Sequence, residues 1–307
     1  MFPLTRLYSR NLAAISGPSV TRNRAAFTTL CLCLWACGGS DSPVAGPGMF
    51  TLPIQHGGID REAIVYVPES YTAEQASPVL LNFHGFGGTA EDHMLWADMR
   101  PQADAENFIV VYPQGSLLDG DSHWNTSPPS DDNKSGADDF GFIEALLDEI
   151  SAPYTVDRDR IYAAGYSNGG MFAFAMACYR SDQIAGVASV SGAMLDDIGE
   201  SCTSPPTSII TLHGTEDEVL GYDGGYGFRS AEALVDYWLG VNGIDSEPSV
   251  DAGAQLESFR YTGGTQGTEV HHHRVIDGGH VWFELETEDT NDLIWTFLAR
   301  FSTEGRL

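Results

Sequence analysis

The sequence predicts an α/β protein with a doubly wound, mostly parallel sheet and helices on both faces. Short runs rich in Val and Ile are apolar throughout, as expected of strands that are buried on both faces of a parallel sheet. Segments with apolar residues at helical spacing alternate with these runs, and such alternation is typical of a doubly wound fold. With 307 residues, 42% of them hydrophobic, the chain suits one large domain.

The predicted strands are Ala63–Val67, Val79–Phe83, Phe108–Tyr112, Ile161–Gly165, Val187–Val190, Ser208–Leu212 and the strand-like run Glu269–Ile276. Predicted helices lie between them, over residues 142–150, 170–178, 234–238 and 293–298. Asp139 is a suitable N-cap for the first of these helices. The polar stretch from Leu117 to Asp138 is expected to be a long surface loop, and such loops often form binding walls.

The first 36 residues predict a signal peptide, because they hold four arginines, no acidic residue and an apolar core too short to span a bilayer. The run Leu34-Trp35-Ala36-Cys37 resembles a bacterial lipobox, which would make Cys37 the acylated first residue of the mature chain. An ordinary secretory signal cut nearby is the alternative. Residues 37–49 are rich in Gly, Ser and Pro and predict a flexible tether before a folded domain at 50–307.

The charge of the chain argues against a nucleic-acid partner. Residues 1–36 hold four of the fifteen basic residues and none of the 43 acidic ones, so residues 37–307 carry a formal net charge of −32. Such a surface repels nucleic acid and anionic lipid headgroups. Membrane attachment is therefore expected only through a lipid anchor.

The cysteine count fits an exported protein. Cys31 and Cys33 fall in the predicted signal, and Cys37 would carry lipid. Cys178 and Cys202 remain as an even pair, so a single disulfide is expected in an oxidising compartment. Two free buried thiols are the alternative.

A serine nucleophile is predicted at the motif Gly165-Tyr166-Ser167-Asn168-Gly169-Gly170. It contains G-x-S-x-G between a predicted strand and an apolar helix, the context that a nucleophile elbow requires. The flanking positions of the motif, Gly165 and Gly169, must be very small, because a Cβ there would collide with neighbouring backbone. The turn places the hydroxyl beside a helix N-terminus, whose dipole favours negative charge. A glycine-rich structural turn is the alternative.

An acid and a base are expected later in the chain, in the order Ser, Asp, His. Glu216, Asp217 and Glu218 follow a predicted strand, so three carboxylates compete for the role of the acid. His280 follows two glycines on a loop before the last helix, which is where the base must lie.

Three other histidines, His271 to His273, are rivals for the role of the base. Their strict alternation favours strand residues over a metal site. No metal is therefore expected at these positions.

Backbone N–H groups should hold the oxyanion that forms when the serine attacks. Asn168 follows the nucleophile and is the first expected donor. The loop His84-Gly85-Phe86-Gly87-Gly88 should supply the second, with Phe86 as the first choice and Gly87 as the next. His84 is expected to be a buried orienting residue rather than a catalytic one.

Together these motifs resemble the bacterial feruloyl esterase, acetylxylan esterase and polyhydroxybutyrate depolymerase group, the family-1 carbohydrate esterases of the α/β-hydrolase fold. The resemblance runs through most of residues 50–300 and includes Tyr112-Pro113-Gln114-Gly115, Trp124-Asn125, Gly165 to Met171, His213-Gly214-Thr215-x-Asp217 and Gly279-His280-x-Trp282. It implies Ser167 as nucleophile, Asp217 as acid, His280 as base and a Cys178–Cys202 disulfide. It also places Trp124 and Trp282 near the acyl or sugar pocket, with plain core packing as the alternative for both.

The resemblance implies an exported serine esterase, either extracellular or an outer-membrane lipoprotein of a bacterium, with residues 50–307 as its catalytic domain. Its expected substrates are small or oligomeric esters, either feruloyl or acetyl esters of plant polysaccharide or hydroxyalkanoate oligomers. No cofactor is implied, and a monomer is expected. A serine acyltransferase and a non-catalytic, lipid-anchored binding protein are the alternatives. Departures from the family pattern at 218–222 and at Phe283-Glu284 leave the substrate open.

Overall fold

The computed structural model describes residues 46–130, 133–196, 202 and 206–307. The predicted signal peptide, Cys37 and residues 37–45 of the predicted tether lie outside the described residues. The first strand begins at Gly48, so the last two residues of that predicted tether belong to the sheet. None of the helices in the described ranges is long and apolar enough to cross a bilayer.

The strands are β1 Gly48–His56, β2 Ile59–Val67, β3 Ser77–Phe83, β4 Ile109–Pro113, β5 Ser116–Leu118, β6 Asp121–His123, β7 Val156–Tyr166, β8 Gly186–Val190, β9 Ser208–Gly214, β10 Ser249–Ala252, β11 Leu256–Tyr261, β12 Val270–Val275, β13 Phe301–Ser302 and β14 Gly305–Arg306. The α-helices are α1 Ala90–Trp96, α2 Arg100–Glu106, α3 Asp139–Ser151, α4 Asn168–Tyr179, α5 Ala231–Asn242 and α6 Thr290–Leu298.

Ten of the strands in the described residues form one sheet, in the order β1-β2-β4-β3-β7-β8-β9-β12-β11-β10. The central strands from β4 to β12 are parallel, and antiparallel strands flank them at both edges. The predicted mostly parallel, doubly wound sheet is therefore confirmed. Strands β1, β10 and β11 were not predicted, because they lie in the outer, antiparallel parts of the sheet and lack a continuous apolar run.

Both faces of the sheet are covered, as the continuously apolar strands indicate. In β3, Val79, Leu81 and Phe83 pack into a core that includes side chains of α3, α4 and α5. Leu80 points to the opposite face, into a second core with side chains of α1, α2 and α6. Because successive strand residues point to opposite faces, the central strands from β4 to β12 contribute to both cores.

The start of α3 differs from the prediction. Asp138, rather than Asp139, is the N-cap, and its carboxylate accepts a hydrogen bond from the Gly141 N–H at 2.9 Å. Asp139 is instead buried against Arg61, with 2.9 Å between carboxylate and guanidinium. A buried carboxylate is costly unless it has a charged, hydrogen-bonding partner. Asp139 therefore pairs with Arg61, and Asp138 caps the helix.

The predicted surface loop between Leu117 and Asp138 is only partly a loop. It contains most of the β5–β6 hairpin, and His123, Trp124 and Asn125 that follow are buried. The Asn125 N–H donates to the Asp139 carboxylate at 2.8 Å, which fixes this segment against α3. This part of the chain is therefore packed structure beneath the site.

Candidate active site

Ser167, His280 and Asp217 form a continuous hydrogen-bonded triad at the carboxyl end of the parallel strands. His280 Nε2 lies 2.8 Å from Ser167 Oγ, and His280 Nδ1 lies 2.7 Å from the Asp217 carboxylate. A carboxylate only accepts hydrogen bonds, so Nδ1 carries the hydrogen and Nε2 is left as the acceptor for the serine hydroxyl. This arrangement suits a base that removes the serine proton.

The backbone around Ser167 is a sharp turn from β7 into α4. Ser167 has a φ of 53°, a left-handed conformation that is uncommon for a non-glycine residue. A Cβ on Gly169 would lie 2.2 Å from the Phe83 carbonyl oxygen, and one on Gly165 would lie 2.4 Å from the Gly169 carbonyl. Only glycine fits at these two positions, in agreement with the small residues expected of a nucleophile elbow.

Asp217 is held in place from several directions. Its carboxylate accepts hydrogen bonds from the backbone N–H groups of Val219 and Leu220, each at 2.8 Å, besides the one from His280. Burial alone would raise the pKa of Asp217, but the hydrogen bonds from His213, His280 and Leu220 hold it well below its usual range. Of the three candidate carboxylates, Asp217 is the one that contacts His280, whereas Glu216 and Glu218 do not pair with it.

His213 is a residue of the site that sequence reasoning did not identify. Its Nε2 donates to the Leu220 carbonyl at 2.7 Å and lies 3.4 Å from the Asp217 carboxylate, so the N–H reaches both. Of the two imidazoles beside Asp217, His280 makes the shorter contact. The position of His213 four residues before the acid was the only available signal in the sequence.

The loops that carry the acid and the base touch each other directly. The Glu216 N–H donates to the Gly278 carbonyl at 2.9 Å, and the Thr215 N–H donates to the Val275 carbonyl at 2.9 Å. A Cβ on Gly214 would lie 2.1 Å from the Gly278 oxygen, so this approach also requires glycine. Since β9 and β12 are parallel neighbours, their carboxyl ends bring Asp217 and His280 together.

Two hydroxyl groups fix the backbone of the His280 loop. Tyr166 donates to the His280 carbonyl at 2.7 Å, and Ser191 donates to the Val281 carbonyl at 3.0 Å. Burial, with a smaller contribution from the Asp217 charge, raises the pKa of Tyr166 to about 12, so its hydroxyl stays a donor at neutral pH. The residue before the nucleophile thus also positions the base.

The loop after β3 borders the serine, as expected of an oxyanion loop. The Gly87 N–H donates to the Ser122 carbonyl at 2.7 Å, so this group already has an acceptor within the protein. His84 is buried, donates from Nδ1 to the Gly85 carbonyl at 2.7 Å and accepts from the Gly115 N–H at 2.9 Å. Burial lowers the pKa of His84 to about 4, which fits an orienting residue that remains neutral.

Trp124 and Asn168 are joined beneath the serine. The Trp124 N–H donates to the Asn168 side-chain oxygen at 2.8 Å, and the Asn168 amide donates back to the Trp124 carbonyl at 3.2 Å. Trp124 is fully buried and stacks on Phe172 with ring centroids 5.2 Å apart. This placement favours core packing over substrate contact for Trp124 and fixes Asn168 at the start of α4.

A cleft of about 740 Å³ opens beside His280. Leu95, Trp96, Tyr166 and Trp282 contribute apolar surface to its walls. Trp282 donates from Nε1 to the Asn291 side-chain oxygen at 3.0 Å, which fixes its ring against the start of α6. Trp282 is thus placed where the sequence predicts it, beside the triad.

The predicted disulfide is present, and it joins Cys178 in the last turn of α4 to Cys202. The histidines of the HHH run lie on β12, as predicted, with His271 against the Glu269 carboxylate at 3.0 Å. The described residues contain no group of three or more His, Cys, Asp or Glu side chains arranged to hold a metal ion.

The chain is similar to known esterases. The family model named Esterase matches residues 55–206, which include Ser167. Feruloyl esterase B of Piromyces equi is 29% identical over 255 residues, which cover 79% of this chain and 45% of that protein. A bifunctional acetylxylan esterase/xylanase of Neocallimastix patriciarum is 27% identical over 250 residues, covering 81% of this chain and 34% of that protein. This chain therefore spans less than half the length of these two relatives.

Solved structures share the fold. The acetyl xylan esterase of Aspergillus awamori superposes with a TM-score of 0.60 at 14% identity, covering 81% of this chain and 99% of that one. The ferulic acid esterase of the anaerobic fungus Anaeromyces mucronatus gives a TM-score of 0.54 at 16% identity, covering 86% and 93%. The chain therefore has the α/β-hydrolase fold of these esterases, and over residues 55–206 its sequence is similar to the Esterase family.

Proposed function

We propose that the protein is an exported serine carboxylic-ester hydrolase that works through an acyl-enzyme. The observation that carries this proposal is the unbroken hydrogen-bond chain from Asp217 through His280 to Ser167, at 2.7 and 2.8 Å. The signal peptide expected at residues 1–36 supports export, and the Cys178–Cys202 disulfide fits an oxidising compartment.

The reaction follows from the geometry of the triad. His280 Nε2 takes the proton from Ser167 while Oγ attacks the ester carbonyl, and Asp217 stabilises the imidazolium that forms. The backbone N–H groups of Phe86 and Asn168 would hold the oxyanion. The alcohol leaves with the proton from His280, and Ser167 is left acylated. Water then attacks the acyl group with His280 again as base, which releases the carboxylic acid and restores Ser167.

The substrates that we propose first are feruloyl or acetyl esters of plant polysaccharide. The names of the relatives support this class, and an aromatic cleft beside His280 suits a planar acyl group or a sugar ring. Hydroxyalkanoate oligomers are the second class, because they too are carboxylic esters. The mechanism requires only the side chains and backbone of this chain.

The test is hydrolysis of an ester panel by wild type and Ser167→Ala. The panel holds p-nitrophenyl acetate and butyrate, methyl ferulate, acetylated xylan and soluble hydroxybutyrate oligomers. We expect wild type to cleave at least one ester, and the variant to be slower by at least about a thousandfold because it lacks the nucleophile.

An unchanged unfolding midpoint in Ser167→Ala would show that the loss is chemical. Equal activity of the two proteins, or inactivity of both on every ester, would contradict the proposal. Product that forms only when a second alcohol is added would point to acyl transfer instead.

A further inference from the structure

The cleft beside His280 has a wall that carries charge of one sign. Between Val281 and Ala299 the chain contains five acidic residues and neither lysine nor arginine. Glu284, Glu288 and Asp289 line the cleft. Within residues 46–130, 133–196, 202 and 206–307, no basic side chain forms an ion pair with any of these three. These three residues therefore place negative charge at the cleft without compensation from a salt bridge, and the Asp289 carboxylate also accepts hydrogen bonds from the Asn291 and Asp292 N–H groups as the N-cap of α6.

The rest of the cleft is apolar and accessible. Leu95 and Trp96, at the end of α1, are each 61% exposed, and Val281 is 49% exposed. Trp96 stands edge-on to Tyr166, with ring centroids 6.3 Å apart, and so continues the apolar surface toward the nucleophile. Apolar side chains this exposed beside a catalytic group are typical of a binding surface. The apolar surface can hold a ring or an acyl chain, while the acidic wall acts on whatever charge the ligand carries.

An acidic wall of this kind discriminates by charge. Carboxylates that line a concave site give it a negative potential, which lowers the local concentration of anions and leaves uncharged molecules unaffected. Exposed charges act in water over a distance of about 8 Å at physiological salt, so the effect must weaken as salt is added. Carboxylates in a binding site also raise the free energy of the complex with an anionic ligand, and this gives specificity for uncharged ligands.

We propose that this cleft selects uncharged esters and that Glu284 is a specificity-determining residue that disfavours substrates with a free carboxylate. The inference rests on the proposed ester hydrolysis and narrows its substrate class. Feruloyl and acetyl esters of neutral sugars fit such a cleft. Short hydroxyalkanoate oligomers fit less well, because each one ends in a carboxylate.

The test uses pairs of esters of related structure in which one member carries an additional carboxylate. p-Nitrophenyl butyrate and mono-p-nitrophenyl glutarate differ by one carboxylate on the acyl side, and ethyl ferulate and carboxymethyl ferulate differ by one on the alcohol side. Each kcat/KM is divided by the rate of hydroxide-catalysed hydrolysis of the same ester, which removes intrinsic reactivity. In wild type we expect the neutral member of at least one pair to be preferred by about tenfold at 50 mM NaCl, and the preference to shrink at 500 mM.

The matched variants are Glu284→Gln and Glu286→Gln, which make the same charge change in the same segment. The Glu286 side chain does not line the cleft. In Glu284→Gln we expect the neutral-to-anionic ratio of kcat/KM to fall by about twofold to fivefold at low salt. Glu286→Gln should leave the neutral-to-anionic ratio at the wild-type value.

The outcomes separate the inference from the proposed function. If wild type cleaves both members of each pair equally well at low salt, the charge selection is overturned and ester hydrolysis stands. If Glu286→Gln changes the ratio as much as Glu284→Gln does, the role of Glu284 is overturned. If wild type cleaves no ester of either charge, the proposed function fails and the inference fails with it.

Discussion

The two sides of the active site are built in opposite ways. Around Ser167 the backbone of α4 is pressed against that of β3, and a single added Cβ would meet a carbonyl oxygen at 2.2 Å. The segment around His280 is mostly exposed and is acidic after the histidine, and a Cβ on Gly279 would meet nothing within 4 Å. The comparison teaches that backbone contacts fix the position of the nucleophile, whereas exposed side chains shape the cleft. Substrate preference can therefore change without disturbing the triad.

The largest effect on stability and activity is expected when one glycine on each side of the site is replaced by alanine. Gly169→Ala should lower the free energy of unfolding by about 3 kcal/mol or more and remove activity, because the new Cβ overlaps the Phe83 carbonyl. Gly279→Ala should change stability by less than about 1 kcal/mol, since its site is open. Urea unfolding and kcat/KM on one neutral ester measure both effects. Similar losses in the two variants would break the contrast.

A smaller effect on activity is expected when His213, which contacts Asp217, is replaced. His213→Phe keeps a ring of similar size but removes the N–H that reaches Leu220 and Asp217, so kcat should fall by about tenfold with little change in KM. Because the hydrogen bond lowers the pKa of Asp217, the variant should also show an altered acidic limb in its pH–rate profile.

The control for His213→Phe is Tyr222→Phe. Tyr222 packs against the His213 ring, and its hydroxyl contacts His272 rather than the triad. This variant should retain kcat within about twofold of wild type. An unchanged kcat and pH–rate profile in His213→Phe would show that the backbone N–H groups suffice to hold Asp217.

The last prediction concerns the pH dependence of stability, which two buried histidines influence. Burial lowers the pKa of His84 to about 4 and that of His93 to about 3, from a usual value near 6.5. Above pH 6.5 their stabilising effect is fully present, and it is lost as the pH falls toward 4, because the unfolded chain then binds protons that the folded chain does not. Each histidine contributes up to about 1.4 kcal/mol per pH unit in that window.

The variant that checks this effect is His93→Gln, which can keep a hydrogen bond to Asn82. Between pH 6.5 and 4 its free energy of unfolding should depend less steeply on pH than that of wild type. The slopes should differ by up to about 1.4 kcal/mol per pH unit, which corresponds to the binding of one proton. Urea unfolding at several pH values measures the slope. Identical slopes in the two proteins would contradict a buried, neutral His93.

The parallel centre of the fold was predictable because its strands are buried on both faces and therefore carry unbroken apolar runs. The outer strands β1, β10 and β11 lack that pattern, since nearly all of their residues are exposed or half-buried. The cap of α3 was misassigned because Asp138 and Asp139 are equally good caps in sequence. The partner that removes Asp139 from that role, Arg61, lies 78 residues away.

For the site, the motifs and the family resemblance together named the three residues that the structure brings together, because the order of the motifs alone left Glu216, Asp217 and Glu218 open as the acid. The sequence ranked Phe86 above Gly87 as an oxyanion donor, but it could not show that the Gly87 N–H donates to Ser122 on a separate hairpin. Nor could it show that His213 and Tyr166 support the acid and the base, since both contacts depend on the packing of distant segments.

The parallel pairing of β9 with β12 has an evolutionary consequence. The chain leaves β9 at Gly214, makes a long excursion through α5, β10 and β11, and returns to the strand directly beside it. The distance between acid and base is therefore set by two neighbouring strands and not by the length of the excursion. New recognition loops can be inserted or deleted there, for example at the β10–β11 turn, while the catalytic unit is inherited intact.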